Sequence, residues 1–209
     1  MKKYDTQAIK NFIYSSIFTT KFVETIVIMQ IIACFIAFLF TYNQQLVIAL
    51  LSPLALCSAI IYIFASKTNA ADVKRINLLI GLSGIVATIT CIISSVLIMH
   101  MDNIVLVKTL ITLCLINITI MFFMVLHARA AVNPTVKKHY VSGAFFTALT
   151  ALGFPIGKVI LHSKGSDIHF AIMLLFMAFS LFFSITFVSI MRYHYAKILE
   201  KIENEQTKQ

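Results

Sequence analysis

Long apolar stretches separated by short polar segments make up most of the chain. Six of them reach the roughly 20 residues that a helix needs to cross the hydrocarbon core of a bilayer. None shows the alternation of polar and apolar positions that is typical of a barrel strand. The pattern predicts an all-α membrane protein with six transmembrane helices. The stretches are Phe22–Phe40, Leu46–Ala65, Asn77–Met99, Ile104–Leu126, Val141–Leu161 and Phe170–Met191.

Every second connection between these stretches is very short. The short connections are Thr41–Gln45, His100–Asn103 and His162–His169. Helices joined by such short connections pack as antiparallel neighbours. We therefore expect three helical hairpins, joined to one another by the remaining loops.

Lysine and arginine are distributed unequally between the two sides of this arrangement. The side with the short connections carries only Lys108, Lys158 and Lys164, and all other basic residues lie on the opposite side. Basic residues near the ends of spans accumulate on the cytoplasmic side of a membrane. The bias predicts a multi-pass protein of the cell membrane with both termini in the cytoplasm.

The residues before the first span have a different pattern. Asp5 or Thr6 is suited to cap a helix, and Ile9, Phe12 and Ile13 follow at helical spacing on one face. This spacing predicts an amphipathic helix that lies in the membrane interface. The alternative is a simple lead-in to the first span.

The pattern changes again after the last span. Tyr195 and Leu199 continue an apolar stripe, while Lys201 and Glu205 are spaced to pair on the charged side. The stripe indicates a cytoplasmic helix that docks on the short loops or on another subunit. The chain thus divides into an interfacial helix, a six-helix transmembrane domain and a cytoplasmic helix with its tail, over residues 1–21, 22–191 and 192–209.

The composition indicates a protein whose solvent is largely lipid. Of the 209 residues, 60% are hydrophobic and 12% are charged, and the mean hydropathy is +0.93. Soluble domains carry about 25% charged residues. The spans leave no room for a soluble catalytic domain. The net charge of +9 lies beside the membrane, where we expect membrane lipids rather than nucleic acid as partners.

The fifth predicted span contains the run GFPIGK at residues 153–158, which weakens the helix next to a cation. Pro155 lacks an N–H group, and its ring clashes with the carbonyl four residues back. Transporters often bind ligands at such breaks. We therefore take Gly153, Pro155, Gly157 and Lys158 as candidate ligand-binding residues. The alternative is a packing kink from which Lys158 extends to the outer surface.

Lys108 lies in the outer part of the fourth span, at a depth similar to that of Lys158. No acidic residue falls in the outer half of any predicted span, because Asp102 and Asp167 belong to loops. Charged side chains within a membrane are costly and are functional candidates by default. Two lysines without a carboxylate partner suit an anionic ligand or an acidic lipid headgroup.

Metal binding is supported only weakly by the sequence. His100 is flanked by Met99 and Met101, and imidazole with thioether suits copper, but the spacing matches no metal motif. All six histidines lie at span ends, whereas a transmembrane haem carrier places its axial histidines within the helices. We expect no cofactor, and these three residues remain weak candidates for a metal site.

Polar and thiol side chains also occur near the middle of the spans. Gln30 and Asn117 are placed to form hydrogen bonds between helices. Four thiols at one depth would suit a soft metal, but cysteine more often packs as a small hydrophobe. These cysteines are Cys34, Cys57, Cys91 and Cys114.

The sequence contains no motif of a serine hydrolase, a zinc protease or a phosphate-binding loop. We therefore expect a non-enzymatic transport or channel subunit that associates with copies of itself. A first alternative is an accessory, immunity or defence component that binds a protein partner on the cytoplasmic side. A second alternative is an intramembrane protein that handles metals or electrons.

Overall fold

The structure consists of helices and their connections. It is a computed structural model that describes residues 5–15, 19–41, 43–69, 71–98, 103–133 and 168–207. The helices are α1 (Thr6–Tyr14), α2 (Thr20–Phe40), α3 (Gln44–Ser66), α4 (Val73–Ile98), α5 (Asn103–Val132), α6 (Ile168–Ile185) and α7 (Phe187–Thr207). The prediction of an all-helical fold is confirmed for this part of the chain.

Within the described residues, five helical segments are long and apolar enough to cross a membrane. They are Thr20–Phe40, Gln44–Ser66, Val73–Ile98, Leu110–Val132 and Ile172–Thr207. Each overlaps one of the predicted spans, and the remaining stretch, Val141–Leu161, lies outside the described residues. The helices are thus compatible with a multi-pass membrane protein.

Helix α4 lies at the centre of the bundle. It packs against α2, α3, α5, α6 and α7, and most of its residues are buried. Small residues such as Gly81, Ser83, Gly84 and Ala87 occupy much of its surface. Small side chains allow helix backbones to approach closely, which is how helices associate in lipid.

The outer faces of the surrounding helices are strongly apolar. Phe35 on α2 is 61% exposed, Leu56 on α3 is 65% exposed and Ile118 on α5 is 60% exposed. Soluble monomers rarely expose large contiguous apolar patches. Such faces are instead suited to contact with lipid chains.

The last apolar segment is interrupted at Thr186, where α6 ends and α7 begins. The Thr186 backbone N–H donates to the Phe183 carbonyl at 3.0 Å, and its hydroxyl donates to the same carbonyl at 2.6 Å. Gly84 of α4 lies directly opposite. A Cβ atom at Gly84 would lie 1.6 Å from Thr186 Oγ1, so the close approach requires glycine.

Helix α1 begins at its predicted cap. The Asp5 side chain accepts two backbone N–H groups of the first turn, at 3.0 and 3.2 Å. Ile9, Phe12 and Ile13 are buried in a cluster with residues of α5 and α7. The Phe12 ring meets the Tyr195 ring edge-on, with 5.8 Å between centroids. The apolar face that the sequence assigned to the lipid interface thus packs against protein.

Ion pairs attach α7 to neighbouring helices. Lys10 of α1 pairs with Glu203 at 2.9 Å, and Lys74 of α4 pairs with Glu200. Both pairs are largely exposed, so each contributes little to stability. The packing of α7 therefore rests mainly on its buried apolar contacts.

The sequence predicted that the C-terminal helix docks on the short loops or on another subunit, whereas Tyr195 and Leu199 are buried against α1 and α5. The predicted pairing of Lys201 with Glu205 is wrong, since this pair is not among the ion pairs of the described residues. An exposed i,i+4 pair contributes only about 0.2–0.5 kcal/mol, which is too little to order two long side chains.

Candidate functional site

The buried side chain of Gln30 joins α2, α3 and α4. Its Nε2 donates to Thr90 Oγ1 at 2.8 Å and to the Leu54 carbonyl at 3.4 Å, and its Oε1 accepts from the Ser58 hydroxyl. Gln30, Ser58 and Thr90 are all fully buried. The predicted role of Gln30 in bonding between helices is confirmed.

Asn117 joins α5 to α6 in a similar way. Its Nδ2 donates to the Leu113 carbonyl at 2.9 Å and to Ser180 Oγ at 3.3 Å, and its Oδ1 accepts from the Ser184 hydroxyl. The predicted role of Asn117 is therefore also confirmed. Neither polar cluster contains a carboxylate or a histidine, so these side chains offer hydrogen bonds rather than acid–base chemistry.

Buried polar side chains extend along most of α4. At 1.5 Å per residue, the stretch from Asn77 to Ser95 covers about 27 Å, which is close to the thickness of the hydrocarbon core. Asn77 Oδ1 and Ser94 Oγ are buried and have no hydrogen-bond partner within the described residues. The buried polar side chains of α4 are Asn77, Ser83, Thr88, Thr90, Ser94 and Ser95.

A cleft of about 450 Å³ lies between α1, α5 and α7. Its walls include Asp5, Asn11, His127 and Arg192. The Arg192 guanidinium lies over the Phe12 ring, with 5.4 Å between the guanidinium carbon and the ring centroid. Arg192 Nε and Nη1 are buried and have no hydrogen-bond partner in the described part of the chain. This cleft could not be predicted from the sequence, because the position of Arg192 at the end of a span does not show which helices its side chain faces.

Of the lysines proposed as ligands, only Lys108 is described, and it lies exposed on α5. Ile111 and Leu115, on the same face, are also exposed. This placement suits contact with lipid headgroups better than contact with a ligand inside the bundle. The other candidates lie outside the described residues: Met99, His100, Met101, Gly153, Pro155, Gly157 and Lys158.

The four cysteines do not form a metal site. Cys57 is exposed on α3, whereas Cys91 is buried inside the bundle, so the thiols do not face a common centre. The described residues contain no group of three or more histidine, cysteine, aspartate or glutamate side chains that could hold a metal ion. The interpretation of the cysteines as small hydrophobes therefore fits their surroundings.

Comparison of the chain with models of protein families, with curated proteins and with solved structures gives no match.

Proposed function

We propose that this chain is a non-enzymatic membrane protein that serves as a transport or channel subunit. The observation that carries this proposal is the set of buried polar side chains that follows α4 across the thickness of the hydrocarbon core. Polar side chains inside a membrane are costly and often mark the path of a solute. The unpartnered atoms of Asn77 and Ser94 would gain hydrogen bonds from a solute or from water.

The transported solute in this proposal is an anion that binds near the outer leaflet. Lys108 and Lys158 would supply the positive charge, and the break at Pro155 would expose backbone groups next to Lys158. Protein in vesicles loaded with an anion-sensitive dye should let chloride or nitrate pass faster than protein-free vesicles do. Lys158→Met should abolish this flux, and Lys158→Arg should retain part of it, because charge survives but geometry changes.

Flux no faster than in protein-free vesicles would refute the transport function. Flux that is unchanged in Lys158→Met would remove Lys158 from the site while leaving transport intact. A channel built from this chain also requires several copies around an axial path. Only monomers in mild detergent at all protein concentrations would argue against the channel form and leave a monomeric transporter.

The proposed topology has six spans in three hairpins, with both termini in the cytoplasm. Cysteines introduced one at a time at Asn43 and Ser166, in a chain whose native cysteines are replaced by serine, should react with an impermeant thiol reagent added outside cells. Cysteines at Asn69 and Thr135 should react only after the membrane is opened. The reverse labelling pattern would overturn the orientation.

A second candidate function is that of an accessory component that binds a protein partner. It is favoured by the folded, charged surface that α4 and α7 form at one end of the bundle, where Lys74, Lys197 and Lys201 line a shallow cleft. Absence of flux, together with capture of one defined partner that is lost on Lys197→Glu, would favour this function over transport.

A further inference from the structure

Arg192 carries a charge that nothing in the described part of the chain compensates. Its Nε and Nη1 are shielded from solvent without a hydrogen-bond partner, which is unfavourable for an ionised group. The carboxylate of Asp5 also lines the cleft, and its Oδ1 accepts the two backbone N–H groups that it caps, but no ion pair joins Asp5 to Arg192 among the described residues. Within the described part of the chain, the guanidinium contacts the face of Phe12, and its Nη2 is not among the buried atoms without a partner.

The acidic residues outside the described residues are distant from Arg192 along the chain. In those segments the only acidic residues are Asp102 and Asp167, which directly precede α5 and α6 in the sequence. His127, which lines the cleft, lies 24 residues after the first residue of α5. Arg192 lies 24 residues after the first residue of α6. At 1.5 Å per residue this separation is about 36 Å, so an anion from outside the chain is suited to pair with Arg192.

The cleft offers the groups that bind phosphate. An arginine guanidinium presents several N–H groups in a planar fork that matches phosphate oxygens. Gln7 Nε2 donates to Asn11 Oδ1 at 3.1 Å, which leaves the Asn11 amino group as a further donor beside the cleft. Arg192 follows directly on the last predicted span, at the depth where lipid headgroups lie, and basic pockets there bind acidic headgroups.

We propose that the cleft between α1, α5 and α7 binds a phosphate group through Arg192 and Asn11. The phosphate belongs to the headgroup of an anionic phospholipid or to a soluble phosphate. This site lies on different helices from Lys158, and it does not depend on whether the chain transports a solute. Because α1 forms one wall of the cleft, the bound phosphate would also hold α1 against the bundle.

The test compares full-length wild type with Arg192→Gln in a neutral detergent. The thermal midpoint of unfolding is measured while phosphatidylglycerol, or inorganic phosphate at constant ionic strength, is added. Loss of a hydrogen bond to a charged group should weaken phosphate binding about tenfold or more in Arg192→Gln. Arg129→Gln is the matched control, since Arg129 is exposed on α5 and does not line the cleft. Phosphate binding by Arg129→Gln should match that of wild type.

The two ligands separate the sources of the phosphate. Stabilisation by phosphatidylglycerol alone assigns a lipid headgroup, and stabilisation by both ligands assigns a site that takes free phosphate. Stabilisation by neither ligand, or equal stabilisation of a folded Arg192→Gln, would overturn the proposal. If Arg192→Gln does not fold, phosphate binding by the variant Asn11→Asp tests the proposal instead. This variant keeps the acceptor for Gln7 but places negative charge in the cleft, so unchanged binding in Asn11→Asp would also overturn it.

Discussion

Replacing Gly84 by alanine tests the tight contact between α4 and the break at Thr186. The new Cβ atom would lie 1.6 Å from Thr186 Oγ1 and 2.8 Å from Thr186 Cβ, whereas ordinary contacts begin at 3.4 Å. Rotating the threonine removes the first clash but breaks its hydrogen bond to the Phe183 carbonyl. The second clash remains, so α4 must also move away by about 0.6 Å to reach an ordinary contact distance.

The expected loss of stability follows from three contributions. Overpacking of a core costs about 1–3 kcal/mol, the lost hydrogen bond costs about 1 kcal/mol, and alanine favours a helix over glycine by about 1 kcal/mol. We therefore expect Gly84→Ala to lower the free energy of unfolding by about 1–3 kcal/mol. Reversible unfolding in mixed detergent micelles measures this change directly.

Two further variants show whether the loss arises at this contact. Ala59→Val adds methyl groups at an exposed position of α3 and should change the stability by less than about 0.5 kcal/mol. Thr186→Gly removes both clashing atoms, so its combination with Gly84→Ala should cost less than the two single changes added together. A Gly84→Ala protein as stable as wild type would refute the close approach.

Two other predictions concern polar contacts. Gln30→Met should cost only about 1–2 kcal/mol in unfolding experiments, because Ser58 and Thr90 keep hydrogen bonds to the Leu54 and Val86 carbonyls of their own helices. A loss above about 4 kcal/mol would contradict this. The hydrogen bond to Glu203 raises the pKa of Lys10 above its usual 10.5. The pair therefore stabilises the fold fully below pH 10.5, and this stabilisation is lost as the pH rises through the raised pKa. The difference in thermal midpoint between wild type and Lys10→Met should therefore shrink at high pH, and a constant difference would disprove the role of this pair.

The sequence predicted the features that follow from the cost of polar groups in lipid. Long apolar stretches with few charges predicted the helices, and isolated amides such as Gln30 and Asn117 were expected to find partners on other helices. The cap of α1 and the apolar stripes of α1 and α7 were also correctly predicted. Each of these features depends on residues close together in the sequence or on a single side chain.

The features that the sequence did not predict depend on which helices meet. An amphipathic pattern does not distinguish lipid from protein, so the contacts of Phe12 could not be anticipated. Thr186 is compatible with a continuous helix, and its close approach to Gly84 depends on which helices meet. Arg192 was counted as a cytoplasmic charge, because the charge bias reports a side of the membrane and not a partner.

The hydroxyl groups inside the bundle bear on how the chain enters the membrane during synthesis. Ser58, Thr88, Thr90 and Ser184 each donate a hydrogen bond to a carbonyl one turn earlier in their own helix. A newly inserted segment therefore need not wait for later segments before its hydroxyls are satisfied in lipid. Gln30 of α2 bonds instead to α3 and α4, so α2 is expected to leave the translocation machinery together with α3 and α4 rather than singly.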